Sequence, residues 1–479
     1  MKKDVLISLI PIVTLIALLS VIIRLFGSDA LSGASQTALL ASTGLCCLIA
    51  VTYFKVKWQV LEDSIKSHLS TVSVPIVILL LIGAVSGTWI LSGVVPLLIY
   101  YGLQVITPGL FLVSTCLICC VVSVMTGSSW TTIATIGIAL LGIGQAQGFS
   151  DGMIAGAIIS GAYFGDKMSP LSDTTVLAAG MSEVPLFTHI RYLSYTTVPA
   201  LLITLVIFTV LGLTHSVQDA SEIALYVHTL GDKFHLTPWL LIVPLVTAVM
   251  IARRMPALIV LFLSCLAASL TALLFQPHIL VEVAGGSTPD GMTLFTGLIR
   301  GICGETQIQT PVPAINSLVA TNGMAGMLNT VWLIVSAMVF GAGMTAGGML
   351  QRVITLLTPL CKRRGGMVAT TVGTGALLNV IVADQYLSII LNSNMFRGIY
   401  RSRGYEDRLL SRSVEDSCTV TSPLIPWNSC GMTQATILGV STFTYLPYCF
   451  FNLLCPVMSI LVALTGYKIF RRKDMPQQP

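Results

Sequence analysis

The chain has 479 residues, of which 54% are apolar and only 9% are charged, and its mean hydropathy is +0.88. Soluble globular proteins carry roughly 25% charged residues, so a water-soluble enzyme of this length would lack the polar side chains needed to cover its surface. The net charge of +5 is small for such a length and argues against a nucleic-acid-binding protein. The composition predicts an integral membrane protein.

Long apolar runs follow one another along the chain. About 20 apolar residues in a helix cross the hydrocarbon core of a bilayer, and only helices and closed barrels satisfy their backbone polar groups in lipid. The strands of a barrel would alternate polar and apolar residues, and these runs do not. We predict an all-α polytopic membrane protein with about ten transmembrane helices. The predicted spans are 5–26, 35–54, 71–103, 149–180, 187–213, 237–252, 256–276, 327–358, 406–434 and 436–466.

Two further apolar segments, 105–147 and 367–395, are predicted to form re-entrant hairpins. The second has basic residues on both sides, including Arg364 and Arg397. Positive residues stay in the cytoplasm, so this segment cannot cross the membrane once, and its 29 residues are too few to cross twice. The first segment is predicted to match it, although its 43 residues are also enough for two full spans.

The distribution of basic residues supports one topology. With these spans, every Lys and Arg of the 25 falls on the cytoplasmic side except Arg24, Lys167, Lys233 and Arg300. This asymmetry is typical of membrane proteins and predicts cytoplasmic N- and C-termini.

An internal repeat divides the chain. VSGTWILSGVVP (85–96) aligns with VFGAGMTAGGML (339–350), and SPLSDTT (169–175) aligns with SPLIPWN (422–428), at nearly the same offset. Residues 1–214 and 237–479 are therefore predicted to be two repeats of five spans and a hairpin, joined by an outer connecting loop at 215–236. An odd number of spans makes the repeats inverted, which is typical of secondary transporters with a site near the membrane midplane.

The stretch GAYFGDKMSPLSDTTVLAAG (161–180) places two carboxylates, Asp166 and Asp173, inside a span. A charged group there costs about 2.5 to 3.5 kcal/mol, so such a pair predicts a function. Pro170 should break the helix and free carbonyl oxygens beside the side-chain oxygens, which suits a hard cation such as Na⁺. The alternative is a structural ion pair between Asp166 and Lys167.

Three other segments are predicted to complete the site. DSCTVTSPLIPWNSCG (416–431) should be broken by Pro423 and Pro426 and should supply neutral oxygens without an in-membrane charge. The hairpin tips add hydroxyls beside Gly127 and a third carboxylate at Asp384. A carboxylate in the membrane can hold either a cation or a proton, and their competition is sufficient for exchange. The titratable candidates, in order, are Asp173, Asp166 and Asp384.

The strings GTWILSGVVPLLIYYGL, MTGSSWTT, GAYFGDKMSPLSDTT, ADQYLS and EDSCTVTSPLIPWNSCG resemble the NhaC-type sodium/proton antiporter family, which includes the sodium-lactate/malate-proton antiporters of bacilli. The resemblance covers nearly the whole chain. It implies the ion-transporter superfamily fold with inverted repeats, paired hairpins and two broken helices, a bacterial inner membrane location and commonly a homodimer. The cation site that it implies comprises Ser128, Ser129, Asp166, Ser169, Ser172, Asp173, Thr174, Asp384, Gln385, Ser422, Asn428 and Ser429.

Three functions follow, of which Na⁺/H⁺ antiport is the first, with Na⁺ and H⁺ as the transported ions and no cofactor. The second is exchange or symport of a small organic anion such as lactate, malate or an amino acid, coupled to Na⁺ and H⁺; Ser128 and Thr131 stand where Thr and Gly are commoner in the family. The third is an intramembrane aspartyl protease, suggested by FGD at 164–166, although the first Gly of that motif is missing. We expect a transporter and not an enzyme.

Overall fold

The computed structural model describes residues 2–26, 33–170, 172–214, 220–253, 255–306, 308–355, 361 and 363–471. This part of the chain is helical, and its only β contacts are two isolated bridges, at Thr306 with Thr321 and at Tyr405 with Arg471. Eight described helices are long and apolar enough to cross a membrane, or up to 10 if each of two bent pairs counts as one span. The prediction of an all-α polytopic membrane protein is confirmed.

The part of the chain before residue 215 forms α1 to α11, with a π-helix at Ile133–Gly137 that makes α7 and α8 continuous. The bounds are α1 Lys2–Phe26, α2 Ala34–Thr52, α3 Trp58–Thr71, α4 Ser73–Leu91, α5 Val94–Val105, α6 Pro108–Thr126, α7 Ser129–Thr132, α8 Ile138–Ala146, α9 Asp151–Met168, α10 Asp173–Met181 and α11 Leu186–Thr214.

The middle of the chain contains more helix than predicted. Most of the predicted connecting loop at 215–236 is α12, so that prediction is wrong for its described residues; residues 215–219 lie outside them. A bend of 92° separates α12 from the helix that follows. The bounds are α12 Ala220–Lys233, a 3₁₀ turn at Pro238–Leu241, α13 Ile242–Ala252, α14 Ala257–Phe275, α15 Pro277–Ala284, α16 Gly291–Cys303 and α17 Pro313–Leu318.

The last part of the chain contains helices whose starts match those of four helices before residue 215. Its bounds are α18 Leu328–Ala346, α19 Met349–Thr355, α20 Arg364–Ile381, α21 Gln385–Ser402, α22 Asp407–Val414, a π-helix at Glu415–Thr419, a 3₁₀ turn at Ser422–Leu424, α23 Ser429–Leu438, α24 Thr442–Tyr445 and α25 Phe450–Thr465. Four helices begin at nearly constant intervals after their counterparts: 255 residues separate Ser73 from Leu328, and 256 separate Pro108 from Arg364, Ser129 from Gln385 and Asp173 from Ser429.

Both segments predicted to be hairpins are pairs of helices joined by a tight turn. In the first, α6 turns at Gly127 and Ser128 into the helix that begins at Ser129. Pro108–Thr126 and Ser129–Ala146 are each long and apolar enough to cross a membrane, which agrees with the alternative of two full spans. In the second, α20 and α21 each have 18 residues, so the hairpin covers 364–402 and the predicted bounds of 367–395 are too narrow. Arg397 was predicted to be a flanking charge, but it lies within α21, where it pairs with Glu183.

The two predicted broken helices are also present. The first ends at Met168 and resumes at Asp173, with Pro170 in the gap. The second is interrupted between the π-helix and α23, and Pro423 and Pro426 lie in that interruption. Since Pro lacks an N–H group and clashes with the preceding turn, each break follows directly from the sequence.

Small residues hold α9 against α6 and set the level of the first break. A Cβ atom at Gly161 would lie 2.2 Å from the carbonyl oxygen of Cys116, and one at Gly165 would lie 2.4 Å from Cβ of Ser123. Close approach through small residues is how membrane helices pack, because lipid offers no hydrophobic force to drive them together. The end of α9 is thereby fixed beside the tip of the first hairpin.

Candidate functional site

A cavity of about 340 Å³ lies where the two hairpin tips meet the break between α9 and α10. The first turns of α4 and α14 form its remaining wall. No Lys, Arg or His occurs among the described residues that line it. Its polar lining consists of Thr126, Ser128, Thr131, Asp166, Asp173, Thr174, Gln385 and Tyr386.

Asp166 occupies the last turn of α9 and is buried at the edge of this cavity, with 6% of its surface exposed. One carboxylate oxygen, Oδ2, accepts hydrogen bonds from the Ser129 hydroxyl at 2.7 Å and from the Ser129 backbone N–H at 3.3 Å. The other, Oδ1, accepts from the Ser172 hydroxyl at 2.6 Å. The Asp166 carboxylate therefore links Ser172, in the break after α9, to Ser129 at the N-terminus of α7. A negative charge is favoured at a helix N-terminus.

Four of the predicted site residues are helix N-caps. A short polar side chain at this position accepts a hydrogen bond from a backbone N–H that has no partner within the helix. All four capped N-termini lie at the hairpin tips or at the breaks. The caps are Ser128 to the Thr131 N–H at 3.2 Å, Ser172 to the Thr175 N–H at 3.4 Å, Asp384 to the Leu387 N–H at 2.9 Å and Asn428 to the Cys430 N–H at 3.0 Å.

The residue before each hairpin cap has a left-handed backbone. The φ angle is 67° at Gly127 and 59° at Ala383. Glycine adopts this conformation without cost, whereas an alanine there is strained by roughly 1–2 kcal/mol. Strain of this kind is retained where the surrounding structure requires it, which occurs mostly at functional sites.

Asp173 and Asp384 have contrasting surroundings. Asp173 is the first residue of α10, and its exposed side chain faces the cavity. Asp384 is only 2% exposed, and its second oxygen accepts a hydrogen bond from the Ser429 hydroxyl at 3.2 Å. Asp384 is not among the cavity-lining residues, so of the three titratable candidates the cavity brings together Asp166 and Asp173.

The other site residues predicted after residue 384 contact the tip of the second hairpin. Gln385 lines the cavity, and its carbonyl oxygen accepts hydrogen bonds from the Ser422 hydroxyl at 3.2 Å and the Cys430 thiol at 2.6 Å. The side-chain amide of Asn428 donates to the backbone oxygen of Asn379 at 3.1 Å. Ser422, Asn428 and Ser429 thus position the tip, since they do not line the cavity.

Ser169 binds the first hairpin. Its hydroxyl donates a hydrogen bond to the backbone oxygen of Val124 at 2.8 Å, and Ser169 does not line the cavity.

The proposed ion pair between Asp166 and Lys167 does not form, and that alternative is wrong. The Lys167 ammonium instead donates to the Asp416 carboxylate in the second broken helix, and it lies 2.8 Å from the thiol sulfur of Cys455. Both charged side chains are 0% exposed. A buried ammonium requires a charged partner of this kind. Because Asp416 lies 249 residues after Lys167, the spacing of nearby residues could not identify it as the partner.

The expectation that the second broken helix carries no in-membrane charge is also wrong. Glu415 and Asp416 are consecutive residues of the π-helix, and both are fully buried. Arg412, which the topology assigned to the cytoplasmic side, is buried as well; its Nε lies 3.9 Å from Asp416 and its guanidinium lies 4.6 Å from the ring centre of Tyr192. The signal in the sequence was the depth of these residues within the predicted span 406–434.

Comparison with known proteins agrees with this architecture. The model of the Na⁺/H⁺ antiporter family matches residues 161–467. The chain is 37% identical to the Na⁺/H⁺ antiporter NhaC of Alkalihalophilus pseudofirmus over 90% of this chain and 91% of that protein. It is 34% identical to the malate-2H⁺/Na⁺-lactate antiporter of Bacillus subtilis (92% and 91% covered) and 32% identical to the arginine/ornithine antiporter ArcD of Halobacterium salinarum (98% and 94% covered).

The family match covers the break between α9 and α10, the second hairpin and the second broken helix, and the similarity to the relatives extends over nearly the whole chain. The resemblance inferred from the sequence motifs is therefore confirmed, and this multi-pass membrane protein belongs to the Na⁺/H⁺ antiporter family.

Proposed function

We propose that this protein exchanges Na⁺ for H⁺ by alternating access, with both ions using the carboxylates of the cavity. The observation that carries the proposal is the composition of the cavity wall, in which Asp166 and Asp173 stand among hydroxyls with no basic described side chain. Oxygen ligands and negative charge suit a hard monovalent cation. A small anion would find no positive partner on the described wall.

The geometry around Asp166 explains how two cations can compete for one site. Ser129 and Ser172 now donate to the carboxylate, and rotation of either hydroxyl would turn a lone pair toward a bound Na⁺. A proton on the carboxyl group would neutralise it instead. The proposed ligands are the oxygens of Asp166, Asp173 and Ser128, with Gln385 opposite, and we propose no cofactor.

The transport unit follows from the repeated order of helices. The nearly constant interval between helix starts supports two repeats, and we propose that they are inverted, with both hairpin tips and the first broken helix meeting at the cavity. The cavity reaches Pro75 and Ala257, which follow the basic residues Lys66 and Arg253 closely in sequence. Basic residues favour the cytoplasm, so we propose that the cavity opens inward, with both termini inside.

Two further features of the proposal come from the family resemblance. We propose that the protein resides in the bacterial inner membrane and forms a homodimer. Neither feature alters the chemistry of the cavity.

A second candidate function is exchange of a small organic acid coupled to Na⁺ and H⁺. The cavity volume of about 340 Å³ exceeds the need of a single ion, and the N-termini of α10 and α21 lie at its wall, where a substrate carboxylate would be favoured. Two relatives are named as carriers of malate and lactate or of arginine and ornithine.

The geometry gives no support to an intramembrane aspartyl protease. Such an enzyme needs two carboxyl groups close enough to share a proton. Asp166 and Asp173 share the cavity, but no hydrogen bond joins the two carboxyl groups among the described residues, and Asp384 is bonded to Ser429 outside it. A secondary transporter remains the function that the site supports best.

Flux in proteoliposomes tests the proposal. An imposed Na⁺ gradient should move protons in the opposite direction, and Asp166→Asn should reduce this flux to that of empty liposomes. Uptake of labelled lactate, malate and arginine is measured on the same vesicles. A Na⁺/H⁺ antiporter ignores all three, so uptake of any of them would favour the second candidate. Absence of coupled Na⁺ and H⁺ flux under every gradient would contradict both.

A further inference from the structure

Glu415 is a carboxylate that the sequence analysis did not identify and that the proposed mechanism does not use. It is 0% exposed and is the first residue of the π-helix at Glu415–Thr419. Its Oε1 accepts a hydrogen bond from the Thr174 hydroxyl at 3.3 Å. The Thr419 hydroxyl of the same helix interacts with the carboxylate, although Oε2 makes no hydrogen bond of good geometry in the described part of the chain. A buried carboxylate in this condition is costly unless it holds a positive charge.

Neither basic side chain nearby forms an ion pair with Glu415 in the described part of the chain, and the Arg412 guanidinium makes no hydrogen bond there. Lys167 donates to Asp416, and the ion-pair contact of Arg412 is also with Asp416, at 3.9 Å. The charged groups around Glu415 are thus Lys167 and Asp166 from α9, together with Asp416 and Arg412 from its own helix. Three carboxylates face two basic groups, so this buried set lacks one positive charge.

Two hydroxyls connect Glu415 to the cavity. The Thr174 and Ser172 hydroxyl oxygens are 3.0 Å apart, and Ser172 donates to Asp166 at 2.6 Å. Three hydrogen bonds therefore lie in a chain between the two carboxylates: Glu415 with Thr174, Thr174 with Ser172, and Ser172 with Asp166. The two hydroxyls supply only two protons. One more proton, on either carboxyl group, would allow all three hydrogen bonds to form.

We propose that Glu415 is a second cation-holding carboxylate of the transport pathway, joined to Asp166 through Thr174 and Ser172, so that the two carboxylates hold one positive charge between them. The ligand is a monovalent cation, either a proton or Na⁺. This inference rests on the proposed function and adds to it a site behind the cavity wall.

The balance of protons is simple in this arrangement. A proton on Glu415 passes to Thr174, the Thr174 proton passes to Ser172, and the Ser172 proton passes to Asp166. Three protons shift by one position each, and no atom is gained or lost. The positive charge moves from Glu415 to the cavity, where arriving Na⁺ competes with it. Glu415 and Asp416 are adjacent in the π-helix, and Glu415 is bonded to Thr174 of α10 while Asp416 pairs with Lys167.

Two pairs of variants test the proposal in proteoliposomes. Glu415→Gln removes the charge and is matched by Glu62→Gln, whose parent side chain is 43% exposed and paired with Lys66 on the surface. Thr174→Val removes the connecting hydroxyl and keeps Glu415, whereas Thr174→Ser keeps the hydroxyl. Proton flux driven by a Na⁺ gradient and binding of labelled Na⁺ to purified protein are both measured.

We expect Glu415→Gln and Thr174→Val to lower Na⁺-driven proton flux by about tenfold or more, which is the effect of losing a hydrogen bond to a charged group. The flux of Glu62→Gln and of Thr174→Ser should stay within about threefold of the parent flux. That is a smaller change than the tenfold effect, which corresponds to about 1.4 kcal/mol. The thermal midpoint of each purified variant shows whether it is folded. If Glu415→Gln does not fold, the comparison of Thr174→Val with Thr174→Ser decides.

Equal flux in Glu415→Gln and the parent, or in Thr174→Val and Thr174→Ser, would overturn the inference. If the parent itself exchanges no Na⁺ for H⁺, the proposed function fails, and Na⁺ binding still tests Glu415 separately. In that case we expect acid to displace labelled Na⁺ from the parent over a wider pH range than from Glu415→Gln. Identical displacement curves would overturn the inference independently of transport.

Discussion

Lys167 and Asp416 form a fully buried ion pair across 249 residues of sequence, between the first broken helix and the second. Thr196 adds a hydrogen bond from its hydroxyl to the same carboxylate oxygen at 3.2 Å. Asp416 is therefore the point at which α9, α11 and the π-helix are tied together. The pair lies next to Asp166 in sequence, yet its function is to hold helices in place.

Removing one member of this pair should destabilise the protein strongly. Lys167→Met leaves Asp416 buried with a weaker set of partners, and breaking a buried pair in this way costs about 3–5 kcal/mol. The triple variant Lys167→Met, Arg412→Met and Asp416→Leu should recover much of the loss, because it also removes the buried Arg412 charge that lies beside Asp416, and an apolar set needs no desolvation. The midpoint of thermal unfolding in detergent measures both. A single variant as stable as the parent would contradict the assigned partner.

Asp166→Asn should abolish exchange while leaving the fold intact. The amide keeps the shape of the carboxylate and removes the charge that a cation needs. Asp151→Asn is the matched control, since Asp151 lies at the exposed start of the same helix and is bonded only to the Gln145 side chain in the hydrogen bonds described, at 2.7 Å. Coupled flux in proteoliposomes should be lost in the first variant and retained in the second. Equal activity of the two would argue against Asp166 as a cation ligand.

Gly161→Ala should separate α9 from α6. The added Cβ would lie 2.2 Å from a backbone oxygen that cannot move aside cheaply. Gly180→Ala is the control within α10, where a Cβ atom would meet nothing within 4 Å and alanine raises helix propensity by up to about 1 kcal/mol. We expect a lower thermal midpoint for the first variant and an unchanged or higher one for the second. The reverse order would show that the two helices are not in contact at Gly161.

Substitutions at the two hairpin tips should change the stability of the protein in opposite directions. Gly127→Ala places a side chain in the left-handed region and should cost about 1–2 kcal/mol. Ala383→Gly removes that strain from the second tip and should be neutral or stabilising, because the entropy cost of glycine is only about 0.5–1 kcal/mol. Thermal midpoints of the two variants test this. Two losses of equal size would indicate that the Ala383 side chain contributes packing that outweighs its backbone strain.

A surface cluster at the far ends of α10 and α21 should contribute stability that depends on pH. Hydrogen bonding from Arg401, and the charges of Arg401 and Arg397, lower the pKa of Glu183 below its usual 4.5. A lowered folded-state pKa gives stability that is present above the unfolded value and is lost as the pH falls through the folded value. Glu183→Gln should therefore lower the thermal midpoint at pH 7. The difference should shrink below pH 4.5, and a difference that grows on acidification would contradict this assignment.

The parts of the fold that sequence predicted well are those decided by local chemistry. Pro170 marks its break because its ring and missing N–H disrupt any helix, and Gly127 marks a turn because it tolerates a left-handed backbone. Ser172 and Asp384 were found because polar residues in an apolar run are conspicuous. Each of these signals lies within a few residues of the feature that it predicts.

The features that sequence missed depend on contacts between distant segments. Nothing near Lys167 indicates that its partner is Asp416, and the depth of Glu415 was hidden by the basic residues just before it. The length of the second hairpin was misjudged because Arg397 was read as the end of the apolar segment. Its actual partner is Glu183, which lies 214 residues earlier in the chain.

The contacts that cross between the two broken helices restrict how this transporter can move. The Lys167 ammonium is bonded to Asp416, and the Thr174 hydroxyl, at the cavity wall, is bonded to the buried Glu415. Separating the two helices during each cycle would strip buried charges of their partners at a cost of several kcal/mol. The helices that carry the cation should therefore travel as one rigid body, and the gap that opens and closes must lie along the wall formed by α4 and α14.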